Sequence, residues 1–267
     1  MSTEHVHAAD LREEKGGDAG GLPPADFTEA GYRHLLASFG RRGYEPRLFE
    51  DGKAEGRHLL LRHDIDVSIE AALRIAEIES DLRIRATYFV MLRTEMYNPF
   101  SQRGLAGLAR LTSLGHRVGL HFDASYYDDA LDVLDAAVAQ ECSALETMTD
   151  RGVDIVSFHR PPSALQGLDR LVGGRAHTYE PRFVQRMDYC SDSRGGWHHG
   201  HPLDHPAVAE GRALQLLTHP IWWMAGPGDT VREKLDRFAL GRFDLLRAEL
   251  ARNCEAYPQE FRALEPS

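Results

Sequence analysis

The sequence has few cysteines, no surplus of basic residues and no long hydrophobic run. Its three cysteines, Cys142, Cys190 and Cys254, are odd in number and widely spaced, so they predict neither a disulfide framework nor a thiolate zinc site. Lys and Arg total 31 against 41 Asp and Glu, and the net charge of -10 argues against nucleic acid and against a polybasic membrane anchor. A sugar or another small molecule is therefore the expected partner.

The first residues, MSTEHVHAADLREEKGG, lack a basic flank that leads into an apolar run. This pattern predicts neither a signal peptide nor a membrane-spanning helix, and we expect a cytoplasmic protein. Residues 1–24 are polar and rich in Gly and Pro, which predicts a disordered lead-in. The chain of 267 residues is 42% hydrophobic, so residues 25–267 suffice for a single catalytic domain.

Short apolar segments alternate with helical patterns along the chain. Helices are predicted after the caps Thr28, Ser68 and Thr230, over 104–114, and from about Asp128. Strands are predicted at 59–61, 86–92, 117–122, 153–158, 187–190 and 214–217. The alternation predicts an α/β fold with a mainly parallel sheet, either a distorted barrel or an open doubly wound sheet. Both architectures place their sites at the carboxyl ends of the strands.

Polar clusters follow five of these predicted strands. They are Arg62–Asp66, Gly115–His121, Phe158–Pro162, Ser191–Trp197 and Leu216–Pro220. Asp64 and Asp66 are two residues apart and share one side of an extended chain, so one can bind a divalent cation while the other accepts a proton. Taken alone, such a pair of aspartates is more typical of a solvated turn. A single histidine at a strand end is likewise more often a core imidazole that bonds to the backbone. Several clusters at one sheet edge favour a functional site.

These clusters resemble the motifs of the NodB-homology superfamily, the polysaccharide deacetylases of carbohydrate esterase family four. The resemblance spans about residues 58 to 224. It implies a distorted (β/α) barrel of about seven strands. It also implies that Asp64 is the catalytic base and that Asp66 is a metal ligand. Gly115-His-Arg-Val-Gly-Leu-His121 matches the first part of the family's second motif, which implies that His121 is a metal ligand.

The chain departs from this pattern four residues beyond His121, where Ser125 stands in place of the family's second histidine. Three replacements are open: a water near Ser125, the carboxylate of Asp123, or His159 from the neighbouring strand. We favour His159, because an imidazole keeps a zinc-like set of nitrogen and oxygen ligands. His159 could instead only support Asp64 or Arg160.

The remaining motifs imply roles for five further residues. Arg160 resembles the family's arginine that orients the catalytic base, which here would be Asp64. Asp192 and Trp197 resemble residues of the pocket wall, although Trp197 could simply be core. His219 resembles the histidine that protonates the leaving amine, and Trp222 could stack on a sugar.

The resemblance implies metal-assisted hydrolysis of an N-acyl amide, with an N-acetyl group as the simplest case. The metal would be Zn²⁺, with Co²⁺, Mn²⁺ or Ni²⁺ also compatible with the ligands. The substrate would be a sugar or small biosynthetic intermediate. Two alternatives stay open: a hydrolase of a non-sugar amide or another C–N bond, and a metal-free carbohydrate-binding pseudoenzyme.

Overall fold

The fold is known from a computed structural model that describes residues 27–224, 226 and 228–263. The predicted lead-in over 1–24 lies outside the described residues, and the assignment of 25–267 to one catalytic domain stays a prediction. No helix within the described part of the chain is long and apolar enough to cross a membrane.

Helices and strands alternate through the described chain. The helices are α1 (Glu29–Arg41), α2 (Ile69–Asp81), α3 (Gln102–Ser113), α4 (Leu131–Thr149), α5 (Pro181–Val184), α6 (Pro206–Glu210) and α7 (Val231–Asn253). The strands are β1 (Glu45–Arg47), β2 (His58–Ile65), β3 (Thr87–Val90), β4 (Arg117–Asp123), β5 (Ile155–His159), β6 (Ala176–His177), β7 (Asp188–Ser191) and β8 (Leu214–Thr218).

The strands form one curled sheet, and every pairing between these strands is parallel. Seven of them follow the order β6-β5-β4-β3-β2-β8-β7 in a half-barrel, and β1 pairs with the amino-terminal half of β2. The predicted α/β fold with a distorted barrel of about seven strands is thereby confirmed.

Capping residues determine where most helices begin, as their sequence signals predict. The hydroxyls of Thr28, Ser68 and Ser101 each accept a backbone N–H of the first helical turn. Thr230 and Glu233 form a reciprocal capping box at the start of α7. Helix α4 begins three residues later than predicted, because the carboxylate of Asp128 accepts from the Ala130 amide in a turn.

The two faces of the sheet have different surroundings. One face packs under the helices in the main hydrophobic core, where Tyr32 and Tyr88 both donate to the buried carboxylate of Glu79. His63 of β2 also contacts this carboxylate, with Nε2 2.8 Å from Glu79 Oε1. The opposite face covers a small apolar cluster that includes Leu60 and Phe89. Because strand side chains alternate between faces, the residues of β2 are divided between these two environments.

Candidate active site

The polar side chains predicted to act together lie on the inner face of the half-barrel. On β2, Leu60, Arg62 and Asp64 follow one another at every second residue, from the apolar cluster towards the carboxyl end of the strand. The register aligns His121 of β4 with Ser157 of β5. The strands thus place a charged layer directly above the apolar cluster.

A glycine lets this inner cluster pack closely below the site. Gly119 lies beside Phe89 in the register of β3 and β4. A Cβ at Gly119 would stand 2.7 Å from the Phe89 ring and 2.7 Å from the Ile155 carbonyl oxygen, so a side chain here would displace that ring or the backbone. The glycine two residues before His121 therefore has a packing role.

Asp66, His121 and His159 form a cluster in which one ligand atom from each residue lies within 4.8 Å of the others. Asp66 Oδ1 is 3.1 Å from His121 Nε2 and 3.7 Å from His159 Nδ1. Two atoms bound to one tetrahedral ion at about 2.0–2.1 Å stand about 3.3–3.4 Å apart, so these separations fit a shared ion.

The chemistry of the cluster also fits a divalent metal. Asp66 Oδ1 is buried and accepts no well-directed hydrogen bond, although His121 Nε2 lies 3.1 Å from it. Burial alone would raise the pKa of Asp66, but the nearby imidazoles of His121 and His219 hold this pKa below its usual range. Burial lowers the pKa of His159, so this imidazole is neutral near pH 7 and can act as a ligand.

Ser157, which the sequence analysis missed, contacts the second nitrogen of His121. The Ser157 hydroxyl oxygen lies 3.0 Å from His121 Nδ1 and 3.3 Å from each carboxylate oxygen of Asp64. If Nδ1 carries the proton, it donates to Ser157 and leaves Nε2 free to face Asp66. Ser157 thereby links His121 to Asp64.

The position of the missing second histidine is occupied by a local hydrogen-bonded turn. The backbone amide and the hydroxyl of Ser125 both donate to Asp123 Oδ1, at 3.0 and 2.7 Å. The other oxygen of Asp123 accepts from Arg160 Nη2 at 2.6 Å. Of the three predicted replacements, the geometry brings His159 into the cluster and leaves Ser125 and Asp123 bonded to each other.

Arg62, not Arg160, holds the carboxylate of Asp64. Arg62 Nε donates to Asp64 Oδ1 at 2.9 Å and Arg62 Nη2 to Oδ2 at 2.8 Å, and both side chains are almost fully buried. The prediction that Arg160 contacts and orients the carboxylate of Asp64 is therefore wrong. Arg160 has a positive φ of 50° immediately after β5, and its side chain, 65% exposed, turns to Asp123. Arg62 reaches Asp64 because residues i and i+2 of a strand share a face.

This ion pair determines the charge of Asp64. Burial alone would raise the pKa of Asp64, but the charge of Arg62 and its two hydrogen bonds hold this pKa well below the usual range. Asp64 Oδ2 lies 3.6 Å from His121 Nε2, so the ionised carboxylate borders the ligand cluster.

His219 borders the cluster from β8 and is held by Asp192. His219 Nδ1 is 2.7 Å from Asp192 Oδ1, and its Nε2 lies 3.7 Å from Asp66 Oδ2. Burial alone would lower the pKa of His219, but the hydrogen bond and charge of Asp192 raise it to about 9. The imidazole is thus protonated near neutral pH, with Nε2 directed at the cluster.

Three residues predicted to bind substrate are buried instead. Asp192 is completely buried, and its oxygens accept from the His219 amide and from Trp223 Nε1. Trp197 is 4% exposed and packs against Phe27, a position that favours its alternative assignment to the core. Trp222 is 9% exposed, which is too little for a sugar ring to stack on its face. The sequence places these residues near the site but does not show which way they point.

The sequence matches no known family model and no curated protein. The fold is similar to solved structures of carbohydrate esterase family 4. A family 4 carbohydrate esterase from Bacillus anthracis has 16% identity and a TM-score of 0.41, over 77% of this chain and 86% of that one. A Streptococcus pyogenes deacetylase in complex with acetate has 11% identity and a TM-score of 0.42, over 78% and 85%.

A pseudoenzyme of the same family, also from Bacillus anthracis, matches with 14% identity and a TM-score of 0.36, over 73% of this chain and 63% of that one. These matches therefore include two proteins described as enzymes and one described as a pseudoenzyme. At these identities and TM-scores, neither state transfers to this chain. Its function has to be argued from its own residues.

Proposed function

We propose that this protein is a metal-dependent hydrolase of an N-acyl amide, releasing an amine and a carboxylate. The observation that carries this proposal is the buried, unpartnered oxygen of Asp66 between His121 and His159, with an ionised carboxylate and a protonated imidazole beside it. A ligand set with a proton acceptor and a proton donor beside it supplies the groups that amide hydrolysis requires.

Asp66, His121 and His159 would hold the ion. A bound Zn²⁺, or Co²⁺, Mn²⁺ or Ni²⁺, supplies Lewis acidity that polarises the acyl carbonyl and acidifies the attacking water. His121 would bind through Nε2, because its Nδ1 faces Ser157. His159 would bind through Nδ1, the nitrogen that faces Asp66.

Asp64 would act as the general base. Its Oδ2 borders the ligand cluster, and the pairing with Arg62 fixes the plane of the carboxylate while leaving lone pairs for a proton. Because the pKa of Asp64 lies well below its usual range, the carboxylate is ionised at pH 7, which is the form that can accept a proton.

His219 would act as the general acid. Its Nδ1 is occupied by Asp192, so Nε2 carries the proton that can be given to the departing nitrogen. Asp192 has the role of orienting and charging this imidazole, in place of the predicted role in a pocket wall.

The acyl group that we propose is acetyl, on a sugar or a small biosynthetic intermediate, since the strand-end motifs resemble those of polysaccharide deacetylases. A second candidate is a non-sugar amide or another C–N bond. The burial of Trp197 and Trp222 favours this second candidate, because neither ring offers a face for sugar stacking. Release of acetate from N-acetylated sugars and from non-sugar acetamides, measured side by side, separates the two.

Metal content tests the ligand set directly. We expect wild type to bind about one divalent ion per chain, and Asp66→Ala, His121→Ala and His159→Ala each to lose it after identical purification. Ser125→Ala is the matched control and should retain the ion, because Ser125 bonds Asp123 and not the cluster. Elemental analysis after zinc is added measures the metal content of wild type and of each variant. A wild type that holds no ion would remove the hydrolase proposal and favour a metal-free binding protein.

The pH dependence of turnover tests the acid. If turnover needs protonated His219, activity is present at pH values below the pKa of His219 and is lost as the pH rises through this pKa. Asp192→Asn removes the charge that raises this pKa, so we expect the alkaline limb of kcat/KM to move from near 9 towards the ordinary value of 6.5.

Asp188→Asn is the control for this shift. Asp188 lies on the same strand β7 but pairs with Arg212, so this variant should keep the wild-type alkaline limb. An alkaline limb that does not move in Asp192→Asn would show that His219 is not the group whose proton is needed.

A further inference from the structure

Helix α7 has an apolar stripe on the side that faces solvent. The stripe consists of Leu240, Phe243, Leu246 and Leu250, which are 65%, 55%, 57% and 42% exposed. These residues recur at intervals of three or four, so they lie along one side of the helix. A surface helix normally directs such a stripe at the core and its polar side at water. In α7 four large apolar side chains face water instead.

The other side of α7 accounts for its attachment to the domain. Lys234, 5% exposed, donates from Nζ to the Trp222 carbonyl at 2.7 Å, and Phe238 packs against the main core. Farther along, the 3₁₀ turn Gln259–Ala263 packs on the helix, and Arg262 Nε donates to the Ala251 carbonyl at 2.9 Å. Within the described chain, Arg247 lies over one edge of the stripe, with its guanidinium carbon 5.2 Å from the centre of the Phe243 ring. All four stripe residues nevertheless stay at least 42% exposed.

We propose that the stripe is a dimer interface, in which α7 pairs with α7 of a second copy of this chain in antiparallel orientation. Ala239, Phe243, Leu246 and Leu250 have the 4-3-4 spacing of a coiled-coil seam. Antiparallel pairing places Phe243 against the partner's Leu246 and small Ala239 against the partner's Leu250. Each large residue thereby meets a complementary neighbour, and the two-fold axis repeats both contacts.

The charges beside the stripe select this orientation. In the antiparallel pair, Arg242 flanks the seam opposite the partner's Glu249, and symmetry forms this ion pair twice. A parallel pair in register would instead place Arg242 opposite the partner's Arg247, where like charges repel. The same helix is thus self-complementary in one orientation only.

The chain's own amino-terminal segment is a poorer occupant. Residues 1–26 contain few large aliphatic side chains, namely Val6, Leu11 and Leu22, and only Leu11 and Leu22 are spaced to share one side of a helix. A second copy supplies Phe243, Leu246 and Leu250 at the spacing of the seam. The dimer does not depend on the proposed hydrolase activity.

Sedimentation velocity on the full-length protein over a wide range of concentration tests the interface. We expect wild type to sediment with twice the mass of the chain. Leu246→Glu should raise the dimer Kd by roughly 100-fold or more, because the buried charge enters the interface twice. Leu171→Glu is the matched control. Leu171 is 55% exposed but lies outside α7, so the dimer Kd of this variant should equal that of wild type.

Charge reversal tests the orientation. Arg242→Glu and Glu249→Arg should each weaken the dimer, by about 10-fold, and the double variant should recover wild-type affinity. A wild type that stays monomeric at every concentration, including one whose stripe is covered by residues 1–26, would overturn the proposal. A dimer that survives Leu246→Glu, or reversals that do not compensate, would overturn it as well.

Discussion

Replacing Asp64 by asparagine is expected to lower kcat by about 10²–10⁴-fold, because the amide cannot accept the proton that the carboxylate takes up. Asp64 is not among the three residues that form the ligand cluster, so the variant should keep its metal. Asp66→Asn should lose both metal and activity. Measuring kcat and metal content on the same preparations therefore separates the base from the ligand.

The double variant Asp64→Asn with Arg62→Gln controls for folding. Asp64→Asn alone leaves the buried guanidinium of Arg62 without its charged partner, which destabilises the fold. The double variant leaves neither charge buried and should recover most of the stability while turnover stays absent. If turnover returned with stability, Asp64 would have a structural role only.

Arg62→Leu is expected to lower the free energy of unfolding by about 3–5 kcal/mol, the usual effect of leaving one partner of a buried ion pair uncompensated. Asp64 would lose two hydrogen bonds and its counter-charge at once. The pKa of Asp64 would rise, because Arg62 would no longer oppose the effect of burial. Urea unfolding measures the stability, and kcat should fall with it.

Arg160→Leu is the matched comparison. The side chain of Arg160 is 65% exposed, and Asp123 would keep its two hydrogen bonds from Ser125, so we expect a loss of about 1 kcal/mol. Equal losses in the two variants, or a larger loss at Arg160, would mean that Arg160 supports the base as the motif resemblance implied.

Much of the fold could be predicted because its signals are local. The helices after Thr28, Ser68 and Thr230 combine a capping side chain with an apolar periodicity. Strands β1 and β6 were missed because elements of three and two residues are too short to show a period. Their pairing is determined by neighbouring strands, which local sequence does not encode.

The candidate site could be predicted in part. Strand-end position was enough to bring Asp66, His121 and His159 together, since parallel strands deliver their ends to one edge. Motif position was not enough to assign partners. The i, i+2 relation between Arg62 and Asp64 was available in the sequence and would have identified their pairing.

The alternative roles of Asp192 and Trp197 needed three-dimensional information. Both follow β7, and their burial depends on how the loop after that strand packs against Phe27 and against the residues that follow β8. Ser157 was missed for a related reason. Its neighbours, His121 and Asp64, come from other strands, so the sequence around Ser157 contains no sign of them.

The alternation of β2 between two buried polar environments makes this strand intolerant of insertions and deletions. His63 is bonded to Glu79 on one face, while Arg62 and Asp64 form their ion pair on the other. A shift of one residue would exchange the faces, and it would bury each charge among groups that cannot pair with it. An insertion or deletion in β2 therefore disrupts both faces of the sheet at once, whereas a substitution in this strand alters only one of them.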